Sequence, residues 1–515
     1  MTGAEHIMKT LAQAGVKVCF ANPGTSEMHL VGALETVPEM RPVLCLFEGV
    51  TTAAADGYAR MTGQPACTLL HLGPGFANSA ANSHNARRGH SPMINIIGEH
   101  ATFHVANNAP LTTDIATAAE PFSDAVKYIS STSSLASDLR EALAAANEGL
   151  GKVVTLVVPS DIAWSETDEE PAAHIEVEPS FDSSHVSKIG DALLEDKSAA
   201  ILLGGVISES SMLSAAKIAK KTGAQLLLDI HTSRTTRGAG TPVFQRLQYF
   251  PELAIEQLAD IETMVCAGIA SPVAFFGYPN TPSSVVSDHC NVHALAEPGD
   301  EIEPALKALE SALDAADEVP ELYGFDLPAP PSGALTRDAV AQSVVHLLPE
   351  NSIVVDESIT SGGPLNQLAA TGPKHDVLRL TGGAIGWGLP ASIGAAVACP
   401  DRKVFAFEGD GSAMYTIQAL WTMARENLDV TAVIFANRDY SILQMEYARM
   451  GFDPSNPNIR PLMNLEEPSI GFSKLGLGMG ITSVSTSTAE EFHQAFQNAT
   501  NSSGPNLIEV ILSSE

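Results

Sequence analysis

Lys403-Val-Phe-Ala-Phe-Glu-Gly-Asp-Gly-Ser412 runs an apolar stretch into a glycine-flanked aspartate and then into helix-forming sequence. A strand that ends in small polar residues ahead of a helix is the repeating step of a parallel sheet, and ligands gather at such strand ends. Gly409 and Gly411 let backbone amides approach a phosphate closely, Ser412 can donate a hydrogen bond, and a helix start favours negative charge. Asp410 is then free to meet a cation. Twenty-five residues lie between Gly411 and Asn437, enough for a helix over 415–427 and a strand over 430–435. That crossover brings Asn437 beside Asp410 at neighbouring strand ends. With diphosphate oxygens and water filling the shell, two such ligands suit octahedral Mg²⁺. A lone Gly-Asp-Gly is more often a turn, so it is the joint spacing with Asn437 that favours a metal site.

The same habit recurs outward from this stretch. Apolar runs at 43–47, 67–71, 154–159, 199–205, 225–229, 264–268, 352–356 and 430–435 alternate with Ala-rich helical sequence. An acidic, polar connector at 166–184 and an acidic, then proline-rich spacer at 314–333 divide the chain. The expectation is α/β throughout, with three doubly wound parallel-sheet domains at 1–165, 185–315 and 333–515.

Composition narrows the function. The chain has 515 residues, 45% of them hydrophobic, with 60 acidic against 28 basic side chains and a formal charge of −32. Such acidity repels nucleic-acid phosphates and anionic lipid, so neither is an expected partner. The first residues lack the basic patch and apolar core of a secretory signal, and no apolar run reaches membrane-spanning length. Six scattered cysteines without close pairs read as buried thiols of a cytoplasmic protein.

Three further features carry candidate chemistry. Glu48 follows the apolar run 43–47 and opens a helical segment through Arg60. A buried carboxylate there can protonate and donate a hydrogen bond to a heterocyclic nitrogen, while helix capping is the ordinary alternative. His71 ends another strand before Gly73-Pro-Gly75-Phe-Ala-Asn78, where it is placed for proton transfer or for a local hydrogen bond; His29, His84, His90 and His100 invite the same caution. Thr25, in the turn Asn22-Pro-Gly-Thr-Ser26, can bond a substrate or simply stabilise the turn. In Arg379-Leu-Thr-Gly-Gly-Ala-Ile-Gly-Trp-Gly-Leu-Pro390, glycines surround Ile385 and Trp387. Helix packing accounts for Gly386 and Gly388 more readily than for Gly382 and Gly383.

Together these motifs resemble the thiamine-diphosphate enzymes of the acetolactate synthase and benzoylformate decarboxylase superfamily, over essentially the whole chain. Gly409-Asp-Gly411 with Asn437 is similar to that family's cofactor signature, and Phe47-Glu48 through Arg60 to its activating-glutamate segment. The resemblance implies a pyrimidine-binding first domain, a central domain and a diphosphate-binding third domain, in a homodimer or homotetramer with active sites between subunits. It implies Mg²⁺ on Asp410, Asn437 and the main-chain oxygen of Asp439, and the diphosphate on Gly411 and Ser412, with Thr360 and Ser361 assisting. Glu48 would protonate the aminopyrimidine, the Gly383 carbonyl would orient its amino group, and Ile385 would wedge the cofactor into a bent shape. The implied reaction is ylid attack on a 2-oxo acid, loss of CO₂ and an enamine that is either protonated or condensed with a second carbonyl.

Within the superfamily Asn22-Pro-Gly-Thr25 and Leu70-His71 look most like benzoylformate decarboxylase, favouring Thr25 and His71 on the substrate side, whereas the loop 73–78 is similar to acetolactate synthase. Gly277 stands where the decarboxylase has a second catalytic histidine; His100 and Tyr440 are possible substitutes, and Leu443 and Glu446 possible pocket residues. Tyr249-Phe-Pro251 replaces the glycine-containing flavin stretch, which argues against FAD. Two rival readings are a non-catalytic paralogue, which leaves Glu48, Asp410 and Asn437 without a chemical demand, and a nucleotide-binding enzyme, which leaves Glu48 unexplained.

Overall fold

The computed structural model describes residues 1–171, 183–195 and 198–512; positions 172–182 of the connector lie outside the described residues. The first sheet has six strands, β1 (Val18–Asn22), β2 (Arg41–Leu44), β3 (Ala66–Leu70), β4 (Met93–Glu99), β5 (Ala125–Tyr128) and β6 (Val153–Pro159), in the order β2-β1-β3-β4-β6-β5. Every neighbouring pair is parallel. Strands β3, β4 and β6 are buried along their whole length, as their nearly unbroken apolar runs require when helices cover both faces. The chain steps outward from β1 to β2 and returns to β3, so the order reverses between β1 and β3. That is where a doubly wound sheet opens a crevice at its carboxyl ends.

The middle stretch forms β7 (Ala199–Leu203), β8 (Val206–Ile207), β9 (Gln225–Leu228), β10 (Arg234–Arg237), β11 (Gln245–Arg246), β12 (Thr263–Ala267) and β13 (Asn291–Ala296). Five of these make a parallel sheet in the order β11-β9-β7-β12-β13. The third sheet holds β14 (Ser352–Glu357), β15 (His375–Arg379), β16 (Val404–Gly409), β17 (Val430–Ala436), β18 (Thr482–Thr486) and β19 (Asn506–Ile511), extended by β10 and β8 into the order β18-β19-β17-β16-β14-β15-β10-β8. The middle stretch is therefore less self-contained than the sequence suggests. β10 pairs antiparallel with β15, and Arg234 reaches Asp376 at 3.0 Å, closing what would otherwise be an open parallel edge. In this sheet the order reverses between β14 and β16.

The first and third sheets share one apolar core. At its centre the helix Glu48–Thr62 lies against the helix Gly388–Ala398, and both are almost wholly buried. A Cβ at Gly57 would collide with the Ala391 carbonyl, and one at Gly394 with the Ala54 carbonyl, so glycine lets the two backbones touch. Trp387, fully buried, donates its indole N–H to Asp56 Oδ2 at 2.7 Å, and Arg60 grips the same carboxylate with two bonds of 2.7 Å. The helix anticipated at 415–427 is shorter. A short helix at Asp410–Ala413 precedes it, the later helix spans only Ala419–Arg425, and between them Thr416 donates its hydroxyl to the Gly386 carbonyl at 2.9 Å.

Candidate active site

Loops after β1, β2 and β3 build the first half of the site. Glu48 is the first residue of its helix with Phe47 in the capping position, and its carboxylate, 7% exposed, accepts from the Asn78 amide at 3.0 Å. His71 precedes the helix Leu72–Arg88 and presents Nδ1 to Glu27 Oε2 at 2.8 Å and to Ser26 Oγ at 3.3 Å. Glu27 is fully buried and also accepts from the Gly24 amide at 2.8 Å and the Ser26 hydroxyl at 2.9 Å. Backbone without side chains makes room for this pair: a Cβ at Gly24 would strike the His71 ring, and one at Gly98 the Glu27 carboxylate. The Glu27 carboxylate at Nδ1 orients the imidazole of a side chain that is 24% exposed. Thr25 opens the short turn Thr25–Glu27 and is exposed. The sequence reading stopped at Ser26 and missed Glu27; the signal available was an acid directly after a turn at the end of an apolar strand.

The second half lies at the ends of β14, β16 and β17. Asp410 is 3% exposed, and its oxygens accept from the backbone amides of Gly411 at 2.8 Å and Arg438 at 2.6 Å. Burial lifts its carboxyl to about 6. Gly409 and Phe435 are register partners, so Asn437 follows the adjacent strand end as the crossover argument requires. Asn437 Oδ1 accepts from the Asp439 amide at 3.1 Å and its Nδ2 donates to Ser441 at 3.0 Å. The bridge between Asp439 and Asn464 is bonded through Tyr440 N to Met463 O and Leu465 N to Arg438 O, a ladder that does not use the Asp439 carbonyl. Ser412 is buried, and the Tyr440 ring lies so close over Gly411 that a Cβ there would collide with it. Thr360 and the buried Ser361 follow β14 beside this crevice; the Thr360 carbonyl accepts from Arg337 at 3.2 Å.

The turn between β15 and the helix Gly388–Ala398 lies against the first half, with Asn82 Nδ2 2.9 Å from the Gly49 carbonyl and 3.4 Å from the Gly386 carbonyl. Gly383 and Gly386 have φ of +76° and +89°, left-handed values that favour glycine. Gly383 is exposed beneath the Phe275 ring of the middle stretch, and half-buried Ile385 packs at the edge of the shared core. Glu357, unsuspected from sequence, is fully enclosed and accepts from the amides of Gly386 at 2.7 Å, Trp387 at 2.7 Å and Gly388 at 2.5 Å. Burial lifts it to about 7 despite those bonds. Glu408 faces it, and burial together with the Glu357 charge pushes that carboxyl well above the usual range.

Among the other candidates, His84 Nε2 lies 3.2 Å from the Gly382 carbonyl. His100 rests against His104, His29 against Trp164, and a Cβ at Gly299 would meet the His90 ring. Gly277 has open space around it; the neighbouring Tyr278 donates to Glu446 at 3.2 Å, and Arg449 pairs with Glu446 at 2.8 Å, so Glu446 serves as a tie between loop and helix. Leu443 is 47% exposed. Among the described residues no cluster of three His, Cys, Asp or Glu side chains is placed for a metal. No helix of the described residues is long and apolar enough to cross a membrane.

Residues 1–118 match the thiamine pyrophosphate enzyme N-terminal TPP binding domain, and residues 365–510 the C-terminal TPP binding domain. The chain is 46% identical to a Mycobacterium tuberculosis protein provisionally named acetolactate synthase large subunit IlvX, over 100% of this chain and 99% of that one. It is 26% identical to benzoylformate decarboxylase of Pseudomonas aeruginosa, over 97% of each. Its fold is similar to that of the Rhodococcus jostii RHA1 thiamine diphosphate-dependent 4-hydroxybenzoylformate decarboxylase, with a TM-score of 0.87, 22% identity and 100% of both chains covered.

Proposed function

The chain belongs to the thiamine pyrophosphate enzyme family of acetolactate synthases and benzoylformate decarboxylases, and from that premise we propose that it is a thiamine-diphosphate- and Mg²⁺-dependent 2-oxo acid decarboxylase or carboligase. The observation that carries this choice is the Glu27–His71 pair at the first crevice, which would supply a proton-transfer group on the substrate side.

The residues fit the cofactor. One carboxylate, one amide oxygen and one main-chain oxygen at adjacent strand ends form a hard-oxygen set of low charge, which Mg²⁺ accepts when a diphosphate completes its shell. Asp410, Asn437 and the Asp439 carbonyl would hold the ion. The Gly411 amide and Ser412 would take the diphosphate, with Thr360 and Ser361 at its margin and Tyr440 as a wall. When bound, thiamine diphosphate supplies a nucleophilic carbon and an electron sink for decarboxylation. The chain's own groups do the rest. Glu48 would meet the pyrimidine nitrogen, the Gly383 carbonyl would receive the amino group, and Ile385 would support the ring end. His71, oriented by Glu27, moves a proton at the substrate, and Thr25 donates a hydrogen bond to the substrate carboxylate or carbonyl. Domains at 1–165, 185–315 and 333–515 would assemble as a cytoplasmic homodimer or homotetramer with sites between subunits and without FAD.

A second reading, condensation of two 2-oxo acids, draws support from the name of the 46% identical relative. One experiment separates the two. The purified protein, loaded with thiamine diphosphate and Mg²⁺, is given a panel of 2-oxo acids while CO₂, aldehydes and 2-hydroxy-3-oxo acid condensation products are measured. Aldehyde and CO₂ alone support the decarboxylase, a condensation product the synthase, and no CO₂ from any substrate refutes both.

A further inference from the structure

The segment 382–386 has no regular secondary structure and contains two left-handed glycines, so its own conformational preferences are weak. Its shape must be imposed by its surroundings. The helix Leu72–Arg88 supplies much of that constraint. His71, Gly75, Asn78, Asn82 and Asn85 follow one another at steps of four, three, four and three residues, which aligns them on one face of the helix. At the near end of this stripe Asn78 meets Glu48. Further along, Asn82 Nδ2 spans the Gly49 carbonyl at 2.9 Å and the Gly386 carbonyl at 3.4 Å, and accepts at Oδ1 from Asn85 at 2.8 Å.

Asn85, fully buried, grips residue 384 twice: its Nδ2 donates to the Ala384 carbonyl at 2.7 Å and its Oδ1 accepts from the Ala384 amide at 3.2 Å. Peptide planarity turns these two bonds into directions. The Ala384 N–H and the Gly383 C=O belong to one trans peptide and point opposite ways, so holding the N–H on Asn85 aims the Gly383 carbonyl away from the helix. The Ala384 C=O shares its peptide plane with the Ile385 N–H, so the second bond fixes where Ile385 departs. His84 adds a hold on the Gly382 carbonyl.

We propose that Asn85, assisted by His84, is a positioning residue that sets the Gly383 carbonyl and Ile385 for the ring end of the cofactor, while leaving the diphosphate end untouched. The inference rests on the cofactor reading above. It makes a prediction that a general stabilising role does not, because the two ends of the ligand can be probed separately.

Calorimetric titration of the full-length protein with Mg²⁺ and thiamine diphosphate, and separately with Mg²⁺ and inorganic pyrophosphate, provides the test. Asn85→Ala is expected to raise the Kd for thiamine diphosphate about tenfold, the equivalent of one or two neutral hydrogen bonds, and to leave the pyrophosphate Kd within about twofold. His84→Ala, at a half-buried position, is expected to show the same selectivity at about threefold and keeps the test open if Asn85→Ala does not fold. Equal losses for both ligands, or no loss for either, would overturn the positioning role. A wild-type protein that binds pyrophosphate but not thiamine diphosphate, or neither, would overturn the functional reading, and this inference with it.

Discussion

His71 Nδ1 and Glu27 Oε2 are 2.8 Å apart, with the carboxylate fully buried and the imidazole partly open to solvent. The two come from loops on either side of the β1/β3 crevice, so the topology of the sheet makes the pair. Glu27 touches no solvent and is held by two further bonds, which fixes the imidazole face that points outward.

Glu27→Gln keeps the size and most of the packing but removes the charge that favours a proton on Nδ1. Loss of general acid–base assistance should lower kcat about 100-fold, with KM changed much less. Steady-state kinetics on the best 2-oxo acid substrate provides the check. A variant with wild-type kcat would remove His71 from proton transfer.

Glu48→Gln separates activation from anchoring. The carboxylate follows a strand of the first sheet and Asp410 a strand of the third, so thiamine diphosphate affinity should remain within about threefold while kcat falls at least about 100-fold, the range of a lost acid–base group. Binding by calorimetry and turnover by CO₂ release are measured on the same preparation. Full activity would exclude the activating role.

The sequence made the strand ends legible because each reads as an apolar run meeting glycine or a polar residue, and that pattern alone brings Asp410 and Asn437 to adjacent positions. Glu48 was visible for the same reason. What it concealed were groups whose importance depends on a distant partner. Glu357 resembles any acid at the end of a strand until the amides of 386–388 close around it, and Asn85 is one polar residue among many on its helix until residue 384 reaches it. The joining of β10 to β15 was equally hidden, since Arg234-Thr-Thr-Arg237 has no apolar run to mark it as a strand.

Asp410 predicts a pH dependence of opposite sign with and without the metal. Its folded carboxyl titrates near 6 against an ordinary 3.8, so the folded state holds that proton more tightly than the unfolded chain. Its contribution to the stability of the metal-free protein is full below about 3.8 and is lost as pH rises through about 6. The cation requires the ionised form, so Mg²⁺ with thiamine diphosphate should bind more tightly at pH 7 than at pH 5. Thermal denaturation at these two pH values, with and without ligands, should show a ligand-induced rise in Tm that is larger at pH 7. Glu357 and Glu408 titrate in the same direction as Asp410 in the metal-free protein, so Asp410→Asn is the comparison that isolates its share. A ligand-induced shift that is equal at both pH values would separate Asp410 from the metal.

Asp56 predicts a stability effect in place of a catalytic one. Its carboxylate takes two bonds from Arg60, one from Trp387 and one from the Ser91 hydroxyl, all among buried side chains where the first and third sheets share their core. Asp56→Ala leaves the Arg60 guanidinium charged and enclosed, although it still has carbonyl partners at Arg379 and Asn85. Removing one member of such a pair costs about 3–5 kcal/mol, mainly because the survivor stays desolvated. Arg60→Met alone should cost a comparable amount. The double variant removes both charges and should lose less than the sum of the two single changes. Urea denaturation followed by tryptophan fluorescence, with Trp387 beside the altered site, measures all three. Strict additivity would mean that Asp56 and Arg60 act independently.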